Sequence, residues 1–359
     1  MSVFYIIFSV VLFLMQLTVA AWLMKCFPAI GWKAPLIVVS LLSGMVCLGM
    51  TYTYTHHNGL LASALYYAAY TWFGLAFLAF VVCAIFAGIC WVLGWFHISA
   101  HWMGVASLVT VLVVWTMAFW GGFSSPKIKH IAVQIPGAPR MKLALLADTH
   151  LGMGVSLNRF DKVLQKIEVE KPDALLVLGD IFEYGPHREK YAARLKQTQT
   201  PQGTYGVLGN HEYYVGYGDS KEFFREAGVL LLENDTAVMP NGVQVAGLKD
   251  IKTAYVTAKE VASVLQRLDP QKPTILLSHT PALAETAAAH GADLMLSGHT
   301  HNGQLWPFTY LVKLSFPRVY GLFDVEGMKF YVTSGVFYWG IPLRFLAPAE
   351  IALIEVNPL

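Results

Sequence analysis

The first 147 residues contain no aspartate and no glutamate. All 23 carboxylates of the 359-residue chain lie from Asp148 onward, and before Pro126 the only lysines or arginines are Lys25 and Lys33. Before Pro126 the chain is too poor in charge for an ordinary solvated surface. An ionised side chain at the centre of a bilayer costs roughly 3 kcal/mol or more, so a membrane-crossing region sheds its charges. Cysteine is missing from the other part. Cys26, Cys47, Cys83 and Cys90 all precede Pro126, leaving the remainder without a disulfide framework or a thiolate metal site. Cys83 and Cys90, two helical turns apart, read as small buried apolar residues. Basic excess is lacking too. Of 25 Lys and Arg, two lie before Pro126, leaving 23 basic against 23 acidic residues after it, which argues against a nucleic-acid partner. No internal repeat and no low-complexity segment is present.

What the first third does contain is apolar residues. The chain as a whole is 55% hydrophobic and 13% charged, with a mean hydropathy of +0.50. Val3–Met24, Ala34–Met50, Ala69–Phe96 and Met103–Phe123 each approach the ~20 residues that cross a bilayer core. The second extends through "TYTYT", and the stretch from Leu60 to Phe96 holds one tilted span after an interfacial turn, or two short ones. Four transmembrane helices are expected over residues 1–125. Trp22, Trp32, Trp95, Trp102 and Trp120 fall near their ends, as interfacial aromatics do. The first run has no positive leader and is longer than a signal-peptide core, so a retained helix is expected. Gln16 and Thr110 are among the few polar residues inside the spans, and no charge lies mid-span, which weakens a transporter reading. His56 and His57 read as a solvated turn. Lys127, Lys129, Arg140 and Lys142 flank the last span, against Lys25 and Lys33 in the first loop. The excess favours an integral protein of a bacterial inner membrane with its second part in the cytoplasm.

After "GGFSSP" (121–126), read as a linker, residues 126–359 suffice for one domain. Short apolar runs there end abruptly in polar residues. "LALLA" ends in Asp148 and His150, "ALLVLG" in Asp180, "YGVLG" in Asn210 and His211, "TILLS" in His279, and "ADLMLSG" in His299 and His301. Such runs suit buried strands. Helical patterns alternate with them: Leu157, Phe160, Leu164 and Ile167 keep a 3–4 spacing, Thr257 with Glu260 forms a capping box, and "ALAETAAAHG" ends at a glycine. Strand and helix in alternation predict an α/β domain whose strand C-termini gather polar residues in one crevice. Eight oxygen and imidazole donors exceed what one ion takes from protein, and without thiolate they favour Mn²⁺, Fe²⁺ or Zn²⁺. Two divalent ions about 4 Å apart with a bridging carboxylate are the natural solution. Glycines before Asp180, Asn210 and His299 are expected to let the backbone turn sharply.

The series "DTH", "GD", "GNHE", "LSHTP" and "GHTHNGQ" resembles the calcineurin-like metallophosphoesterase superfamily, over roughly residues 141–355. "GHTHNGQ" with "YVTSGVFYWGIPLRFLAPAEIALIEV" resembles its membrane-anchored branch, whose motif usually reads GHTHGGQ. The resemblance implies a four-layer α/β/β/α sandwich. It implies Asp148, His150 and His301 on one metal, Asn210, His279 and His299 on the other, and Asp180 bridging them. It further implies that His211 faces the scissile phosphate, stabilising charge or protonating the leaving oxygen, while metal-bound hydroxide attacks phosphorus. Glu183 stands where relatives often have an Asp that orients this histidine. Asn302 replaces a usual Gly, and Ala282 a frequent Asp.

Several residues have plainer readings. His290 suits a helix C-terminus, and His187 with Arg188 a surface helix start, although phosphate contact is open to both. Arg344 suits a fold-supporting hydrogen bond and substrate contact equally. "LWPFTYLVKLSFPRVYGLF" (305–323) reads as a buried hairpin or loop, or as a segment that dips into lipid headgroups. The expected activity is therefore a membrane-anchored, dinuclear-metal phosphoesterase acting on an ester or pyrophosphate bond of a lipid or lipid-linked phosphate. The alternative is a phosphodiesterase of soluble nucleotides or small diesters, its helices serving only as anchor. A catalytically silent scaffold is disfavoured by the complete motif set.

Overall fold

The computed structural model describes residues 2–56, 59–93, 99–185 and 187–359, with side chains from residue 7 onward. Trp95 and His57 lie outside the described residues. The chain forms two compact units. One comprises Met1–Phe123 with Gly340–Leu346, the other Ser124–Trp339 with Ala347–Leu359.

The first unit is helical: α1 (Ser2–Cys26), α2 (Lys33–Thr55), α3 (Leu60–Leu93) and α4 (Ala100–Phe123). All four are long and apolar enough to cross a membrane. Between Leu60 and Leu93 the backbone is one unbroken 34-residue helix, with no turn before the span. Lipid supplies no hydrophobic drive between helices, so polar groups join them. Gln16 Nε2 donates to Ser43 Oγ (2.8 Å), and Trp72 Nε1 donates to Gln16 Oε1 (3.2 Å), linking α1, α2 and α3. Trp22 departs from the interfacial expectation. It is buried, and its Nε1 donates to Ser107 Oγ (2.9 Å) on α4. Trp32, Trp102 and Trp120 are exposed. The expected linker begins late as well, because Gly121–Phe123 still belong to α4. A β-carbon on Gly121 would stand 2.3 Å from the Arg344 carbonyl oxygen, and one on Gly122 2.4 Å from that of Pro342. The paired glycines thus admit the segment Gly340–Leu346 against the helix.

The second unit carries β1 (Lys127–Ile135), β2 (Met141–Leu146), α5 (Leu157–Glu170), β3 (Ala174–Val177), α6 (Arg188–Gln197), β4 (Thr204–Gly206), α7 (Asn210–Glu226), β5 (Leu230–Leu231), β6 (Asp235–Val238), β7 (Gln244–Gly247), α8 (Ala258–Leu265), β8 (Thr274–Leu277), α9 (Ala284–Ala289), β9 (Leu294–Ser297), α10 (Phe308–Ser315), β10 (Gly321–Val325), β11 (Met328–Val332) and β12 (Glu350–Pro358). They build two mixed six-stranded sheets, ordered β1-β12-β2-β3-β4-β5 and β10-β11-β9-β8-β7-β6.

Strand alternation sorts the side chains into layers. Leu143, Leu145 and Leu176 point between the sheets, where they meet Val245, Ile275 and Leu294. Their neighbours Ala144, Leu146, Leu175 and Val177 point outward onto Phe160, Leu164 and Ile167 of α5. Val261 and Val264 of α8 cover the far sheet over Leu276 and Met295. The result is the expected α/β/β/α sandwich. The capping box on α8 forms as read, Thr257 accepting from the Glu260 N–H while the Glu260 carboxylate accepts from the Thr257 N–H.

Candidate metal centre

The strands β2, β3, β4, β8 and β9 all deliver their next residues to one end of the sandwich. Past the strand ends the loops tie to one another. The N–H of Asp148 donates to Gly179, that of His150 to Asp180, and that of Gly298 to His279. Asp148, His150, Asp180, His299 and His301 all take positive φ, between 43° and 72°. Non-glycine residues are rarely held there, and such strain collects at functional sites. The glycines act differently from expectation. Only Gly179 has a positive φ (83°). Gly209 and Gly298 serve close approach instead, since a β-carbon there would lie 2.1 Å from Asp180 Oδ1 and 2.5 Å from Asp148 Oδ2.

The residues read from sequence come together in groups. Donor atoms of Asp148, His150 and His301 lie within 4.8 Å of one another, and so do those of Asp180, His279 and His299. Asn210 Oδ1 stands 3.2 Å from His279 Nε2, adding the fourth donor to the second group. Asp180 Oδ2 is 3.2 Å from His279 Nε2 and 3.9 Å from His150 Nε2, so one carboxylate oxygen faces both groups. His150 Nε2 faces His301 Nε2 at 3.0 Å, and His299 Nδ1 faces His279 Nε2 at 3.2 Å. Imidazole nitrogens converging in this way, with carboxylate and amide oxygens between them and no sulfur, fit borderline divalent cations.

Neighbouring groups orient these donors. Leu178 C=O accepts from His279 Nδ1 at 2.7 Å, which fixes the tautomer and leaves Nε2 as a ligand atom. Glu183 does the same for two rings. Its Oε1 is 2.6 Å from His150 Nδ1 and 2.9 Å from His211 Nδ1. The extra methylene relative to Asp lets one carboxylate reach both. Burial would lift the Glu183 pKa, but His211 and His150 outweigh it and hold the group below the usual carboxylate range. Burial opposes protonation of His211, yet Asp180 and then Glu183 raise its pKa to about 9. His299 falls to about 4, through burial and then the charge of His279. Asp180 is driven well below the ordinary value, since His279 and His211 overcome its burial. For Asp148 burial wins and the pKa rises.

Comparison with known proteins turns this geometry into a family assignment. The family of calcineurin-like phosphoesterases matches residues 141–303. An uncharacterised metallophosphoesterase of Helicobacter pylori is 33% identical over 264 residues, which is 72% of this chain and 71% of that protein. The chain belongs to the calcineurin-like metallophosphoesterases. A Campylobacter jejuni relative, also an uncharacterised metallophosphoesterase, is 35% identical over 65% of this chain and 64% of its own length. A zebrafish (Danio rerio) transmembrane protein with a metallophosphoesterase domain is 30% identical over 70% of this chain and 62% of that protein. The chain is thus a metal-dependent phosphoesterase. Its four membrane-length apolar helices and its transmembrane relative mark it as a membrane protein. The family works with a dinuclear divalent metal centre.

One residue of this metallophosphoesterase was overlooked in its sequence. Glu212, the last letter of "GNHE", is buried and accepts three backbone N–H bonds, from Gly209 (2.7 Å), Asp180 (2.9 Å) and Ile181 (2.7 Å). It clamps the loop that carries Asp180 to the start of α7. A glutamate three residues into a helix behind a glycine was a signal of reaching back, but its distant partners were not. His290 Nδ1 bonds Thr286 C=O at the end of α9. His187 precedes α6, and Arg188 pairs with Glu226. Ala282 packs on the outer core of the second sheet, and Asn302 sits at φ 52°, a conformation asparagine tolerates. Arg344 is buried in the helical unit, and its backbone N–H donates to Ala118 C=O.

The segment 305–323 contradicts the buried-hairpin reading. Its middle, Phe308–Ser315, forms α10 with no buried residue, while Leu305, Phe316 and Val319 on either side are buried. Phe308, Tyr310, Leu311 and Leu314 are exposed, Leu314 at 83%. The period of the run is helical, and its exposed side chains are largely apolar.

Proposed function

We propose that the enzyme hydrolyses a phosphoester or pyrophosphate bond of a lipid or lipid-linked substrate, with residues 1–125 as its anchor and residues 126–359 as its catalytic domain. Asp148, His150 and His301 would hold one cation and Asn210, His279 and His299 a second, with Asp180 placed to serve both. When bound, two divalent cations supply Lewis acidity toward phosphate oxygens and acidify water. The chain itself does the rest. Asp180, fixed through Glu212, keeps its carboxylate between the two donor groups. His211, held at Nδ1 by Glu183, keeps Nε2 for the substrate, stabilising phosphate charge and giving a proton to the leaving oxygen. No serine or cysteine in the motifs is positioned to form a covalent intermediate. The expected location is a bacterial inner membrane with the catalytic domain on the cytoplasmic side, supported by the four basic residues after the last span against two in the first loop.

The lipid reading is carried by α10. An exposed apolar helix begins seven residues after the ligand His301, in a chain that also has four membrane-length helices. Fully burying a leucine side chain is worth about 2 kcal/mol, so a face of this kind has a strong preference for an acyl or headgroup environment. Leu311→Ser with Leu314→Ser should lower turnover of a lipid phosphate in vesicles at least about tenfold, taking one leucine's worth of binding as the scale. Turnover of a small chromogenic diester should be unchanged. Equal loss on both substrates would refute the lipid reading and favour the soluble-substrate alternative. Leu305 is buried, so a substitution there would report on folding.

A further inference from the structure

Two large aromatic side chains stand against His211 without being buried. Tyr214 is 61% and Trp339 52% exposed. Their ring centroids lie 5.4 and 5.7 Å from that of His211, at interplanar angles of 65° and 72°. Their main chains, by contrast, are tightly fixed. Gln304, itself buried, accepts from the Trp339 N–H at 2.9 Å and donates to the Trp339 C=O at 3.1 Å. Tyr338, the preceding residue, is buried with its hydroxyl on Gly154 C=O. The Tyr214 C=O accepts from the Tyr184 hydroxyl at 2.7 Å. A buried glutamine that bonds both the N–H and the C=O of Trp339 thus fixes the main chain from which a half-solvated indole reaches the imidazole of His211.

Rigid aromatic rings that keep much of their area in water, next to a reactive group, have the character of a binding surface. We propose that Tyr214 and Trp339 bind the leaving group of the substrate and select a planar aromatic one. The inference rests on His211 serving the leaving oxygen, as set out above, and adds the chemistry of the group that oxygen belongs to. An aliphatic group gains only removal from water at these rings. A flat π system also gains stacked or edge-to-face contact, and aromatic stacking is sequence- and substituent-tolerant because every such ring offers a face. Gln304 is a positioning residue for Trp339, which accounts for the final letter of the "GHTHNGQ" motif.

The test uses the full chain in detergent, with a chromogenic phosphodiester as substrate and three monoesters as competitive inhibitors: phenyl, cyclohexyl and ethyl phosphate. Cyclohexyl phosphate is the decisive control, being as large and more apolar but not planar. Phenyl phosphate should inhibit about tenfold more tightly than cyclohexyl phosphate, the scale of a single stacked ring. Trp339→Leu and Tyr214→Leu should each reduce that ratio, and the double variant should bring it to about one while ethyl phosphate inhibition stays within about twofold. Trp339→Phe should retain part of the preference. Cyclohexyl phosphate binding as tightly as phenyl phosphate to the wild type would overturn the proposal. So would an unchanged ratio in the double variant. Absence of lipid turnover with the ratio intact would count against the lipid reading alone.

Discussion

Glu212 offers the sharpest test of how the centre is built. Glu212→Ala removes the acceptor of three buried N–H groups, those of Gly209, Asp180 and Ile181, at 2.7 to 2.9 Å. Each orphaned buried donor costs about 1–3 kcal/mol, so the gross loss is roughly 3–9 kcal/mol. Two effects reduce it. Burial and the nearby Asp180 carboxylate both raise the Glu212 pKa, so removing its charge relieves some repulsion. Water entering the vacated space satisfies part of the rest. A net destabilisation of about 3–4 kcal/mol is expected, which lowers the melting temperature of a domain this size by roughly 6–16 °C. Glu212→Gln should cost less, about 1–2 kcal/mol. Its amide oxygen can serve the Gly209 and Asp180 donors, but its amine then confronts the Ile181 N–H. Glu212→Asp is too short to span all three, and should resemble Ala more than Gln. Thermal melting of the three variants in detergent, followed by fluorescence, gives the ranking. If the Ala variant melts within 2 °C of the wild type and keeps its turnover, the clamp has been misread (a shift that small is under about 1 kcal/mol).

Two other substitutions probe the donors directly. Asp180→Asn should lose at least one of two equivalents of bound divalent metal, measured by elemental analysis of the purified protein, because Asp180 Oδ2 faces both donor groups; full retention would contradict the bridging assignment. Glu183→Gln should lower kcat about 10–100-fold, the range for losing a group that orients metal-bound or catalytic histidines. It should weaken metal affinity as well, since the same oxygen touches His150 and His211; a loss confined to kcat would mean that only the His211 contact matters.

How far the chain could be read without coordinates varies from element to element. The strands β2, β3, β8 and β9 are continuous apolar runs with glycine or a polar residue at the end, and that local pattern suffices to place them. The same holds for α5 with its 3–4 spacing and α8 with its capping box. The metal-site residues were legible because each sits at such a strand end, and a parallel arrangement of strands brings those ends together whatever the loop lengths. Trp22 was misjudged because a tryptophan near a helix end looks the same whether its indole faces lipid or, as here, Ser107 on another helix.

The sequence alone determined the division between an uncharged helical region and a charged α/β region, and the order of the donor motifs. Both follow from local physics: the cost of charge in hydrocarbon and the two-residue and 3.6-residue periods of side-chain burial. Tertiary structure decided the rest. Glu212 reaching Asp180 across 32 positions, Glu183 serving two imidazoles, Trp339 arriving beside His211, and the return of Gly340–Leu346 to the helical unit depend on contacts between distant parts of the chain. The exposure of α10 belongs here too, because an apolar run specifies what it would prefer to touch and leaves open whether the fold supplies it.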